Sequence, residues 1–161
     1  MNLSYWELKE WFSNIDFTIV GSGIIGLNCA LQLKKKYPNA RILILEKGIL
    51  PQGASTKNAG FACFGSPSEI YYDLASMSEE EVWETVAMRY DGLKRLLELV
   101  PAARMGYEAC GSWDLLDKNE HLSADFLAYL NDNIQKISGQ SSCYTEDHEM
   151  LKKSGIHGFK F

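Results

Sequence analysis

The chain has 161 residues, 16 Lys and Arg against 21 Asp and Glu for a net charge of −5, and a composition that is 46% hydrophobic, 23% charged and 12% aromatic. At about 150 residues per domain this is one domain, either a large one or one with an appendage, its apolar content excludes a disordered chain, and its acidic balance leaves no basic surplus for a nucleic-acid backbone. Apolar runs such as Ile24 to Leu27 and Ile42 to Leu45 fall far below the roughly 18 residues of a membrane span, and an N-terminus carrying Glu7 and Glu10 has no apolar signal segment, so the expected location is the cytoplasm.

Tyr5, Leu8, Trp11 and Phe12 share one helical face behind Ser4, and Glu7 completes a capping box, which predicts a short N-terminal helix within residues 1–15. Its apolar face needs a cover, expected to be the sheet that follows, with a subunit contact as the alternative. Asp16 to Val20 reads as a strand that stops at Gly21. From Ile24 the apolar period becomes helical through Leu27, Ala30, Leu31 and Leu33, with Lys34 to Lys36 in the last turn and Pro38 and Asn39 as the stop. Arg41 to Glu46 is a second strand. Its near-continuous apolarity predicts burial on both faces of a parallel sheet, which makes residues 16–46 one βαβ unit.

Of the 22 residues from Lys47 to Ser68, nine are Gly, Pro or Ser, an irregular stretch of the kind that carries function. Ser78 with Glu81 then opens a long amphipathic helix whose stripe runs through Val82, Val86, Leu93, Leu96, Leu97 and Val100 to the stop at Pro101. Residues 105–116 read as a hairpin or a pair of short strands about Gly111. Helices follow at Ser123 to Ser138, with Gly139 behind, and at Glu146 to Lys153. The closing GIHGFKF alternates like the start of a strand, an ending that suggests a truncated chain. Cys29, Cys63, Cys110 and Cys143 form no CxxC pair and are expected as buried thiols. His121, His148 and His157 have no ligand-like spacing, so no metal is expected, and Tyr71, Tyr72 and Tyr107 are expected in core or surface packing.

Gly21, Ser22, Gly23, Ile24, Ile25 and Gly26 form a GxGxxG that leaves a strand and opens a helix, and Glu46 closes the next strand 20 residues after Gly26. Gly21 permits the tight turn, Gly23 lets backbone approach a pyrophosphate, and Gly26 lets helix and strand pack closely. The helix amides then hold phosphate while Glu46 accepts hydrogen bonds from the adenosine ribose. An acid at that position disfavours the 2′-phosphate of NADP. A P-loop is excluded by the missing Gly-Lys-Ser/Thr, and a kinase loop by the helix where a strand is required. By itself GASTKNAG, residues 53–60, reads either as a flavin-approaching loop with hydroxyl donors and small residues, or as a turn into a short helix capped by Ser55 or Thr56.

The segments GSGIIGLNCALQL and LEKGILPQGASTKNAGFACFGS together resemble the amino-terminal part of the D-amino-acid oxidase family of FAD-dependent oxidoreductases, which includes glycine and sarcosine oxidases and D-amino-acid dehydrogenases. The resemblance implies a Rossmann-like α/β FAD-binding fold, a parallel sheet with flanking helices, spanning 16–161. Residues 102–161 would begin a substrate domain. It places the cofactor FAD against Gly21, Ser22, Gly23, Ile25 and Gly26. It sets Glu46 and Lys47 against the adenosine, Gly53, Ala54, Ser55 and Thr56 against the pyrophosphate, and Lys57, Asn58, Ala59 and Gly60 beside the flavin.

Family members are more than twice as long, and their carboxyl half supplies the substrate sheet, the substrate-binding arginine and a second glycine-rich flavin segment. The chain is accordingly expected to be an incomplete fragment of a two-domain fold, inactive alone. Its full-length form would oxidise an amine or amino acid, and no catalytic residue is assigned. Two other readings stand beside this one. The first is a free-standing, non-catalytic adenine dinucleotide-binding module; the second is a fragment that binds nothing and self-associates into a homo-oligomer through exposed apolar surface.

Overall fold

A computed structural model describes residues 3–117, 122–155 and 159–160, and the chain divides into two units, Met1–Phe61 and Ala62–Phe161. The first begins with helix α1 (Tyr5–Trp11), which the expected capping box starts: Ser4 Oγ accepts from Glu7 N at 3.2 Å and Glu7 Oε2 accepts from Ser4 N at 2.7 Å. The expected lid is not formed. No residue of α1 is buried, Trp6 and Trp11 are 65% and 61% exposed, and an open groove lined by Trp11, Ile15, Leu27, Leu31, Ile42 and Ile44 separates the end of α1 from full contact with the strands. The last turn of α1 is tied by a polar contact instead, with Arg41 Nη2 donating to Glu10 O at 2.7 Å.

Strand β1 (Phe17–Val20), helix α2 (Ile24–Lys36) and strand β2 (Ile42–Leu45) form the βαβ unit, and the strands pair in parallel with Phe17 opposite Ile42 and Val20 opposite Leu45. Asp16 Oδ2 accepts from Arg41 N at 2.8 Å and so sets this register from the start of both strands. The three lysines sit in the last turn of α2 as the helix dipole favours, and Lys34 Nζ reaches Ala40 O at 2.8 Å across the following turn. β2 is half-buried to exposed, which corrects the expectation of burial on both faces. Among the described residues the sheet has two strands, so each lacks a neighbour on one side and their apolar side chains stay partly in solvent.

The second unit is helical. Helix α3 (Pro67–Ser76) occupies the end of the stretch expected to be irregular; Ser66 and Glu69 form its capping box and Pro67 takes the first turn, where a missing N–H is harmless. Helix α4 (Glu79–Leu99) starts at Ser78 as expected, α5 (Ala102–Met105) is one short turn ended by left-handed Gly106, and α6 (Ala124–Ser138) runs from Ser123 to left-handed Gly139 as expected. Helix α7 (His148–Ser154) is capped by Asp147, which accepts from Glu149 N and Met150 N, and so begins two residues later than the periodicity predicts. Ile70, Val82, Val86, Leu130 and Ile134, each at most 2% exposed, join α3, α4 and α6 into the core. Tyr71 packs edge-on against Phe126 at 5.5 Å, and Tyr144 Oη donates to Gly65 O at 2.8 Å.

Residues 105–116 are not a hairpin. Two-residue strand β3 (Leu116–Asp117) pairs antiparallel with β4 (Phe159–Lys160), which is the strand expected at the end of the chain. Asp114, expected in the hairpin, instead accepts from Ser68 N at 2.9 Å and supplies an acceptor to the first turn of α3. The cysteines are less buried than expected: Cys29, Cys63 and Cys110 are exposed, and Cys143 is half-buried. His121 and His157 lie outside the described residues. Among the described residues no cluster of His, Cys, Asp and Glu is placed to hold a metal ion, and no helix is long and apolar enough to cross a membrane.

Candidate functional site

Three stretches of the first unit meet at the carboxyl ends of β1 and β2, where ligands bind in open parallel sheets. Gly21 turns out of β1 at φ +99°, a conformation other residues rarely adopt, and its N–H donates to Leu45 O at 2.7 Å, which ties the turn to the end of β2. A Cβ on Gly26 would collide with Gly21 O and approach Ile19 Cγ2 to 3.3 Å, so α2 crosses this strand at a distance only glycine allows. A Cβ on Gly23 would stand 3.0 Å from Ser55 Oγ. Gly21 thus holds the turn and Gly26 the helix-to-strand contact that their spacing implies, while the close neighbour of Gly23 is the Ser55 hydroxyl.

Gly23 is the N-cap of α2, and no side chain of the cap itself hydrogen-bonds to the helix. The first amides of a helix have no earlier carbonyl within it, and they carry the positive end of its dipole. Here Ile24 N donates to Ser55 Oγ at 2.9 Å, so a hydroxyl from the loop stands at the helix end. No acidic side chain occupies the first turn. An anion would meet backbone donors and positive potential there.

Glu46 follows β2 and is exposed, with each carboxylate oxygen engaged. Oε2 accepts from Ser22 N at 2.9 Å and Ser22 Oγ at 2.7 Å, while Oε1 accepts from Lys47 N at 3.0 Å and Gly48 N at 3.4 Å. The Ser22 backbone amide, then its hydroxyl, then the Gly48 amide stabilise the charged form and hold the carboxyl below its ordinary range. Glu46 is therefore an ionised acceptor at neutral pH.

Residues 53–60 form a loop with its own bonding. A single 3-10 turn covers Ala54–Thr56, Thr56 Oγ1 donates to Pro51 O and Gly53 O at 3.1 and 3.2 Å, Asn58 Nδ2 donates to Ser55 O at 3.0 Å, and Gly60 N donates to Asn58 Oδ1 at 2.8 Å. No side chain of its Gly53 cap closes that turn and no α-helix follows it directly, which corrects the alternative of a short helix capped by Ser55 or Thr56. Of the expected residues the structure brings Gly21 to Gly26, Glu46, Lys47 and Ser55 together through hydrogen bonds or direct sequence contact. The side-chain bonds of Thr56 go to Pro51 O and Gly53 O, those of Asn58 and Gly60 stay inside the loop, and Gly53, Ala54, Lys57 and Ala59 are exposed on it. Gly48 was absent from the sequence expectation. Its role is a backbone amide, and only the short step from strand end to turn could have signalled it.

The sequence model of the family described as FAD dependent oxidoreductase, DAO, matches residues 16–156. The chain belongs to this family. Its members depend on FAD, the cofactor the sequence resemblance implied. L-2-hydroxyglutarate dehydrogenase of Escherichia coli strain K12 is 31% identical over 140 residues, covering 77% of this chain and 32% of its own length. The protein of the same name from Salmonella houtenae is 43% identical over 63 residues, covering 38% of this chain and 14% of its own length. The one from Escherichia coli O17:K52:H18 is 41% identical over 66 residues, covering 40% and 15%. The chain therefore spans about a third of the length of the K12 relative. No solved structure matches it.

The residues present fit a dinucleotide cofactor. Gly26 packs where no Cβ has room, the Ile24 amide at the start of α2 meets the neutral Ser55 hydroxyl and no acidic side chain, and an ionised acceptor stands beside the glycine turn.

Proposed function

We propose that this chain is the FAD-binding amino-terminal portion of a larger oxidoreductase, with the adenosine end of FAD held by residues of the first unit. One observation carries the reading: the helix α2 end, with Ile24 N on Ser55 Oγ, and the ionised Glu46 on Ser22 flank the same glycine turn. The amides of Gly23 to Gly26 would hold the pyrophosphate with Gly53 to Thr56 beside it, and Glu46 the ribose, with Lys47 against the adenosine. Lys57, Asn58, Ala59 and Gly60 would line the flavin. FAD, when bound, supplies the acceptor for a hydride equivalent from substrate.

For the whole protein we take the substrate as a small 2-hydroxy acid, because the relatives carry the name L-2-hydroxyglutarate dehydrogenase. The amine or amino acid implied by the sequence resemblance undergoes the same loss of hydride from a carbon bearing a heteroatom, so it serves as the comparison substrate. No residue of this chain is assigned to bond cleavage. Its part is to bind and orient.

Titration of the purified chain with FAD, read by quenching of flavin fluorescence and competed with ADP, tests the reading. Saturable binding with FAD tighter than ADP is expected. Equal affinities would reduce the chain to an adenylate-binding module, and no binding of either would overturn the assignment.

A further inference from the structure

We infer that the Ser22 hydroxyl is a stand-in for the ribose, occupying the acceptor position on Glu46 that a nucleotide hydroxyl takes over when it binds. The inference rests on Glu46 being the ribose acceptor of the proposed function. A carboxylate offers about four acceptor positions on its two oxygens. Glu46 already receives four donors, from Ser22 N, Ser22 Oγ, Lys47 N and Gly48 N. A ribose hydroxyl that donates to Glu46 must therefore displace one of them.

The four donors differ in how they can leave. Three are backbone amides, and moving Ser22 N would disturb the turn that Gly21 N ties to Leu45 O at 2.7 Å. Lys47 N and Gly48 N belong to the chain leaving β2, so releasing them bends that strand exit. Ser22 Oγ makes the shortest contact, 2.7 Å, yet it departs by rotation about one Cα–Cβ bond with the backbone unchanged. It is also chemically like its replacement, an aliphatic hydroxyl donating to an anion. Ser55 Oγ at Ile24 N repeats the arrangement at the phosphate end, where a neutral oxygen stands on a donor suited to an anion.

A placeholder and a positioning residue behave oppositely when removed. If Ser22 Oγ only oriented Glu46, Ser22→Ala would weaken nucleotide binding. If it competes with the ribose, the free state loses a hydrogen bond that the bound state lacks anyway, and binding tightens by roughly threefold to tenfold, the range of one net hydrogen bond.

The test is calorimetric titration of the full chain and its Ser22→Ala variant with ADP and with 2′,3′-dideoxy-ADP, accompanied by NMR titration of the Glu46 carboxyl in both free proteins. The expected result is tighter ADP binding by Ser22→Ala, no gain for the dideoxy ligand, and a Glu46 pKa that rises towards the ordinary carboxylate value. ADP affinity that is unchanged or weaker in Ser22→Ala overturns the exchange while leaving the nucleotide site in place. A gain that persists with the dideoxy ligand also overturns it, because no hydroxyl would then be exchanged. An unmoved Glu46 pKa shows that the hydroxyl does not hold the carboxylate and overturns it too. Absence of ADP binding in both proteins overturns the proposed function, and the exchange falls with it.

Discussion

Among the described residues, five apolar side chains from three helices of the 62–161 unit are at most 2% exposed, whereas the buried apolar residue of the 1–61 unit is Ala40. The helical unit is held by side-chain volume. The βαβ unit is held by backbone proximity and polar ties: Gly26 against Gly21 O, Gly21 N on Leu45 O, Ser22 on Glu46 and Asp16 on Arg41 N. The comparison teaches that the two units should fail in different ways. A cavity harms the first kind of structure, while one added methyl at a glycine harms the second, together with the site built on it.

The largest effect is expected from Leu130→Ala, which empties a fully buried position in α6 and should cost about 2–5 kcal/mol in urea unfolding followed by helical circular dichroism. A loss below about 1 kcal/mol would mean the helical core is not the close-packed body described. Next is Gly26→Ala, expected to destabilise by about 1–3 kcal/mol through overpacking, and to abolish FAD binding in the fluorescence titration, since the turn must move to admit the Cβ. Retained FAD affinity in that variant would erase the contrast between the units. Tyr144→Phe removes the bond to Gly65 O and should cost about 1 kcal/mol.

Tyr144 also predicts a pH dependence. Burial first, then the negative potential of Cys143, Cys63, Glu69 and Asp114, pushes its phenol above the ordinary value. A pKa raised on folding gives stability that is fully present below the unfolded value of about 10 and is lost as pH rises through the folded value. Wild-type protein should therefore lose more stability than Tyr144→Phe on going above pH of about 10, and parallel curves would contradict this. The smallest effect belongs to Trp6→Ala. With its ring 65% exposed on an uncovered face, the change should stay within about 0.5 kcal/mol by thermal unfolding.

Elements whose ends are set locally were legible in the sequence. Ser4 with Glu7, Ser78 with Glu81 and Ser123 with Gly139 each mark a helix through atoms three residues apart or a left-handed stop, and all three helices are present. The βαβ order and its parallel pairing were equally plain, because the glycine turn and the change of period sit between Val20 and Ile24. The start of helix α3 was hidden by composition, since the Gly, Pro and Ser content up to Ser68 read as irregular and residues 69–76 carried no expectation, although Ser66, Pro67 and Glu69 held the start signal. What failed otherwise was nonlocal. Whether α1 is covered, whether Cys63 is buried and whether Asp114 caps a distant helix depend on partners the sequence does not place. Within the site, the glycines and Glu46 were visible by spacing. The Ser22 bond to Glu46 joins residues 24 positions apart and required the strand register.

The glycine turn, Glu46 and the loop through Gly60 are proposed to form one dinucleotide site. The most direct test is mapping of backbone amide shifts in isotope-labelled chain as FAD is added to saturation. The largest shifts are expected on residues 22–26, 46–48 and 53–60, with the amides of the 62–161 core, such as Leu130 and Ile134, moving least. Largest shifts among the core helices, or no shifts at the glycine turn with FAD bound, would contradict it.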